Sequence, residues 1–375
     1  MKARRILAVI LALAIVAGVY VFFVTREDNS RGMVTLWVEK GSPLSEEIEK
    51  LVQSYNSDMA RETLPVEIKC FEDEEGLAEA YETGTPDILL CTHLRAFSLY
   101  QREKLADISA EETFVPPKYL KSVQSRNSSI GRSFFPVGIS VPVMAVNNSL
   151  VAQSFSSSFE GVFSDAASYT GKTGKVFLAC DSTAELCYLY MLRFGEEFTG
   201  KIEDLNSKKQ FLALYNTFAE AAFDGSISFV GEDAVKYFAN GAVPCLFIDS
   251  EKLRGIDLSS VAVRDIPSPD GSMNSDTMGT AYGFAVTNGG CRSKGDTAAF
   301  ISWVFSENRS SQSALACMLA PATEDGKASV GTAESLLNDM AKSRLIVLPD
   351  PASDYISNKS GFEESFREEM ERLMP

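Results

Sequence analysis

The chain has one histidine, His93, in the stretch GTPDILLCTHLRAFSLYQREKLADIS from Gly84 to Ser109. A single imidazole restricts the available chemistry. A Ser–His–Asp triad would have to use His93 as its base, and no G-x-S-x-G elbow supplies a nucleophile. Structural and catalytic metal sites usually draw on several His or Cys ligands, and here no C-x-x-C pair and no D-x-D-x-D-G loop occurs. The phosphate-cradling patterns G-x-x-x-x-G-K-S/T and G-x-G-x-x-G are also missing. No catalytic residue, metal or cofactor is therefore expected, and an extracytoplasmic hydrolase stands only as an alternative. What remains are side chains that bind. Arg95 can fork onto a carboxylate or phosphate, and Lys40, beside a helix start, can meet an anion or a hydroxyl. Each also has an ordinary reading as a solvated surface ion.

These residues sit in a chain of 375 residues, 45% apolar, enough for one large or two medium domains. The net charge of −16 argues against nucleic acid, which needs a basic face. Of the seven cysteines, most lie in apolar runs such as ILLC and VPCLF and read as small core residues; an odd count leaves at least one unpaired. At the start, Lys2, Arg4 and Arg5 precede the uncharged run Ile6–Val24. As a helix that run would span about 28 Å, near the thickness of a bilayer core. The preceding positive charges place the N-terminus inside and the body outside. An uncleaved transmembrane anchor and a cleaved signal peptide compete for this segment, and residues 25–32 read as a polar tether.

The elements that must position His93 alternate in type. Met33–Val38 reads as a buried strand, followed by a helix capped at Ser42 with Pro43 in its first turn. Pro65–Phe71 alternates as a strand, Glu74–Thr83 reads as a helix, and Asp87–Cys91 as a further buried strand. Ser133–Asn147, with two prolines, reads as a crossover between lobes. Further strands are expected at Gly174–Cys180, Ala242–Ile248, Val261–Pro269 and Gly279–Asn288. Helices are expected at Ser182–Phe194, Asn206–Phe223, Asp233–Asn240, Lys294–Phe305 and Ser310–Met318. The apolar stripe Phe362, Phe366, Met370 and Leu373 is expected to pack a C-terminal helix onto the body. Strands interleaved with helices form sheets covered on both faces, and such sheets bind ligands beyond the carboxyl ends of their strands. The loops Glu39–Ser42 and Thr92–Arg95 lie at that edge, which puts His93 on a ligand-facing rim. Asp249 and Ser250 end a strand at the corresponding edge of the second lobe. Asp181, Ser182 and Thr183 lie there too but read first as helix caps. Tyr282 lies in the returning crossover and either stacks on a ligand or packs the hinge, and Phe135 carries the same ambiguity.

Several of these stretches, in this order, resemble the extracellular solute-binding proteins of ABC importers, the maltose-binding-protein-like family 1 with its type II periplasmic-binding fold. VTLWVEKG is similar to that family's first strand and ligand loop. GTPDILLCTHLRAFSLYQREKLADIS resembles its G-x-P-D segment and rim, and FPVGISVPVMAVNNSLV its hinge crossover. FANGAVPCLFIDS, TAAFISWVFSENRSSQSAL and ACMLAPAT resemble later segments. The resemblance implies an α/β, two-lobed fold, each lobe a mixed sheet flanked by helices, behind the N-terminal transmembrane helix. It divides the chain into residues 1–5 inside the cell, 6–24 anchor, 25–32 tether, 33–139 with 277–320 as lobe 1, and 140–276 with 321–375 as lobe 2. It implies ligand contacts at Lys40, Cys91, His93 and Arg95. An aromatic and an acidic residue usual at the second rim are replaced by Cys91 and Leu94, which counts against a conventional sugar site. The implied function is capture of a small polar ligand, carbohydrate among the candidates, by hinge closure. Delivery to an ABC permease follows, by a monomer held at the outer face of the cell membrane or, after cleavage, secreted. A tethered sensor of the same fold and a lobe pair used for protein interaction are the alternatives. If the apolar run is an uncleaved anchor, the full chain should sediment with membranes and resist alkaline carbonate extraction. A shortened chain in the soluble fraction is the outcome expected of cleavage.

Overall fold

A computed structural model of the chain describes residues 32–373, apart from 60–61, 122–129, 152–157, 181–186, 188–204, 206, 232, 267–276, 289–293, 325–330, 344–345 and 349–353. The apolar run at 6–24, the tether up to residue 31 and nearly all of the helix expected at Ser182–Phe194 lie outside the described residues. Among the described residues, no helix is long and apolar enough to cross a membrane.

Two mixed sheets form the frame. The first contains β1 (Val34–Glu39), β2 (Val66–Phe71), β3 (Ile88–Thr92), β4 (Phe134–Ser140), β11 (Thr280–Val286) and β12 (Ala320–Pro321), in the order β12-β4-β11-β3-β1-β2. The second contains β5 (Pro142–Asn147), β6 (Leu178–Cys180), β7 (Ile227–Phe229), β8 (Cys245–Asp249) and β9 (Val261–Asp265), in the order β7-β6-β8-β5-β9. A two-stranded ribbon pairs β10 (Thr277–Met278) with β13 (Ile346–Val347). The chain is two-lobed, one sheet to each lobe.

Side-chain alternation along each strand decides which helices cover which face. Leu36 and Val38 of β1 face a core shared with Ile48, Val52 and Tyr55 of α1 (Ser45–Asp58) and Phe300, Ile301 and Val304 of α7 (Lys294–Val304). Trp37 faces the other way, toward Leu77 of α2 (Glu74–Thr83) and Ala96 and Leu99 of α3 (His93–Gln101). In the second lobe Met144, Leu178 and Phe247 pack under α4 (Phe159–Thr173), α5 (Lys209–Phe223) and the C-terminal helix α10 (Asp354–Leu373). Phe362, Phe366 and Met370 of α10 are fully buried there, as the stripe predicts. The opposite face of that sheet, with Val143, Ala145 and Leu246, lies under α6 (Asp233–Ala239) and α9 (Thr332–Ser343). It belongs to the same apolar cluster as Trp37 and Leu89, so one core runs between the lobes through Ile139 and Val141.

Some local expectations are corrected. Ser42 does not cap α1: the residue before the helix is Leu44, without a side-chain capping bond. Ser42 and Pro43 instead open a turn closed by Ser45 N–H donating to the Ser42 carbonyl at 3.0 Å. Proline's fixed φ suits the second position of such a turn. Thr92–Arg95 is not a loop, because α3 begins at His93 directly after β3. Thr92 caps it, its hydroxyl accepting from Arg95 N–H at 3.3 Å. The strand expected at Gly174–Cys180 shortens to Leu178–Cys180.

Replacing Phe366 by alanine removes a fully buried ring in contact with Phe218 and Phe229. The loss should be about 3–5 kcal/mol, measured by urea unfolding. Phe223→Ala, at a ring 71% exposed, should stay within about 0.5 kcal/mol of the parent.

Candidate functional site

Strand polarity alone brings the candidate residues to one seam. β1, β2 and β3 are parallel, so Lys40 and His93 leave the first sheet at the same edge. β11 is antiparallel to both β3 and β4, which places Thr280 and Ser140 at that edge as well. Only Val141 separates β4 from β5, so the second sheet continues from this point. β8 and β9 run antiparallel to β5, and their C-terminal residues Asp249 and Asp265 pair with Pro142 and Val143. The carboxyl ends of the parallel strands in both sheets thus face one another across the crossover, the usual place for a ligand in open α/β sheets.

The proposed contacts occupy this seam differently. Lys40 is exposed and forms an ion pair with Glu72 just past the end of β2, which raises the lysine's pKa. Cys91 is half-buried on β3, opposite Gly283. Burial pushes its thiol up to about 12, and burial likewise raises the pKa of the Tyr81 phenol on α2. The charge of Arg95 opposes both shifts. Trp37 fills the space next to them, its ring 5.1 Å from Phe71 and 6.4 Å from Tyr81. Lys69 Nζ lies 5.0 Å from the Trp37 ring. The other tryptophan, Trp303, packs edge-on to Tyr55 at 5.4 Å under Arg309.

His93 is only 2% exposed. Its Nδ1 accepts the backbone N–H of Ala281 at 3.2 Å. A nitrogen that accepts carries no proton, so the ring is held with its remaining proton on Nε2. The sole imidazole therefore joins the start of α3 to the strand returning from the other lobe. Tyr282, the next residue, is half-buried and packs toward the core beneath α1 and α7. Asp249 is half-buried at the end of β8. Ser250 is fully buried; its hydroxyl accepts Val141 N–H at 3.2 Å and its own N–H donates to the Val141 carbonyl at 2.8 Å.

Three hydroxyls at or near the seam add candidates that the residue types did not single out. Ser42 Oγ, Ser140 Oγ and Tyr81 Oη are buried without a hydrogen-bond partner among the described residues. Buried polar atoms are nearly always bonded, so each needs an explanation. Ser140 lies inside the segment read as a crossover, but no signal distinguishes a serine that faces a ligand from one that packs.

No protein-family model and no curated protein matches the chain. Its fold is shared with solved structures. The GacH receptor of Streptomyces glaucescens, solved unliganded and with acarbose, is 15% identical with a TM-score of 0.68, the match covering 92% of this chain and 93% of that one. Maltose-bound MalE3 of T. maritima is 11% identical with a TM-score of 0.66, covering 91% and 100%. UgpB of Mycobacterium tuberculosis, solved with glycerophosphocholine, is 14% identical with a TM-score of 0.64, covering 91% and 98%. At identities this low, the structural likeness shows the two-lobed α/β fold and nothing finer.

Exchanging His93 for leucine leaves the buried Ala281 N–H without its acceptor. The expected cost is about 1–3 kcal/mol in denaturant unfolding. Lys40→Ala, at an exposed side chain, should leave unfolding unchanged within about 0.5 kcal/mol.

Proposed function

We propose that the chain is an extracytoplasmic binding protein that takes a small polar ligand at the seam between its lobes and closes on it. In this reading residues 33–139 with 277–320 form lobe 1, and 140–276 with 321–375 form lobe 2. The observation that carries the reading is the pair of buried, unsatisfied hydroxyls, Ser42 and Ser140, on the edge where both sheets end. Hydroxyls in that state suit a ligand rich in hydrogen-bonding groups, because water removed on closure is replaced by direct bonds. Arg95 brings a positive charge to the first rim, where Lys40 is paired with Glu72. Asp249 and Asp265 add negative charge to the second.

Neighbours of the same fold bind acarbose, maltose and glycerophosphocholine, in keeping with a polar, hydroxyl-bearing ligand. Both tryptophans pack in the body, so any stacking surface for a sugar ring comes from tyrosine or phenylalanine. The proposal extends to delivery: a monomer held by its N-terminal segment at the outer face of the membrane presents the closed form to an ABC permease. Closure is coupled to binding because a ligand touching both edges has more contacts in the closed state.

The test is a thermal-shift screen of the full chain in detergent against sugars, oligosaccharides, amino acids and polyamines. One class should raise the midpoint, since a ligand at a hundred times its Kd adds about 2.7 kcal/mol to apparent stability. Ser140→Ala should reduce that rise while leaving the ligand-free midpoint in place. No rise with any class counts against binding at the seam.

A further inference from the structure

Arg254 reaches from one lobe to the other. It lies in the 3-10 helix Ser250–Gly255, which follows β8 directly and so extends from the edge bearing Asp249. Its Nη1 donates to the carbonyl of Pro43 at 3.1 Å, and its Nη2 pairs with the carboxylate of Glu46. Pro43 belongs to the turn after β1, directly beyond Lys40 and Ser42, and Glu46 lies in the first turn of α1. The same guanidinium acts on the buried Cys317, at the C-terminal end of α8 (Arg309–Ala316), together with Glu46, Glu47 and Lys50. One side chain of the second lobe is thus seated against α1 and the ligand-side turn of the first.

The geometry is that of a positioning contact. A planar fork with one arm on a backbone carbonyl and the other on a carboxylate fixes direction as well as distance, which a lysine could not do. We infer that Arg254 is an interlobe latch: it sets the spacing of the two seam edges before any ligand arrives and holds the Lys40–Pro43 turn in register with the second lobe. The inference rests on the reading that the lobes move about their crossings and deepens it by naming the contact that movement must break. The Arg254 side chain is 36% and the Glu46 side chain 69% exposed, so solvent screens the pair. A contact of this kind biases an equilibrium between poses without locking one of them.

The test reads spacing directly, on the full chain in detergent with no ligand added. Azidophenylalanine placed at the exposed Tyr100 of α3 and the exposed Tyr237 of α6 carries a donor and an acceptor dye, one on each lobe. In Glu46→Gln and Arg254→Glu the mean transfer efficiency should fall as the edges separate. In the double swap Glu46→Arg with Arg254→Glu it should return toward the parent value. Glu46→Gln changes one exposed group and does not depend on the fold tolerating a charge reversal. Unchanged efficiency in both single variants overturns the latch, and so does a fall that the swap fails to reverse. With no ligand present, such a failure leaves the binding reading standing or falling on the thermal-shift screen alone.

Discussion

Val141 belongs to neither sheet, yet it is completely buried between them. A strand can leave one ladder and enter another only if the residue in the gap finds partners for its own N–H and C=O, and each group left unpaired costs about 1–3 kcal/mol. Ser250 supplies both, one through its hydroxyl and one through its backbone. This exchange ties the end of β8 to the crossing and thereby brings the two sheet edges to a common line. Had the connection been a solvated loop, the lobes would be free to drift and no edge would reliably face another.

The return crossing obeys a packing constraint of a different kind. A side chain at Gly279 would put its first carbon 2.5 Å from Ile139 Cγ2 and 2.9 Å from the Ser140 carbonyl, too near for any residue larger than glycine. The incoming strand is therefore pressed against the outgoing one, and His93 fastens the next residue but one from the opposite side. Around these contacts runs the apolar cluster shared by both lobes. Bending between lobes is then confined to a few residues, because a close-packed core resists shear better than a short connector resists rotation.

Much of the framework could be read before the structure. Continuous apolar runs such as DILLC and AVPCLFI are what strands covered on both faces require; β3 lies within a residue of the first, and β8 begins three residues into the second and ends one beyond it. The helix at Glu74–Thr83 matches to the residue, because Asp73 provides a cap and the apolar spacing is regular. The rim was harder. Ser-Pro before a helix serves equally as a cap or as a turn, and the choice depends on tertiary contacts that a local pattern does not carry. The histidine shows the same limit. Topology put it at the correct edge, but whether a rim side chain points outward or back toward a neighbouring strand depends on Ala281, far along the chain. Ser42, Ser140 and Tyr81 were beyond reach for the opposite reason: an unsatisfied hydroxyl is defined only by what fails to surround it.

The presence of only one imidazole in the sequence has an electrochemical consequence. Histidine is the side chain whose ordinary range falls between about pH 5 and 8, and here there is one in 375 residues. Among the described residues, the carboxylates with a shifted acidity, Asp107 and Asp257, are displaced downward and the shifted thiols upward, away from neutrality. The 51 carboxylates of the sequence titrate mainly below that interval, so between about pH 6 and 7.5 its net charge of −16 changes by only a charge or two. Over that narrower span, mutual repulsion between copies and the field met by an approaching ion change little, whereas a histidine-rich surface would be recharged.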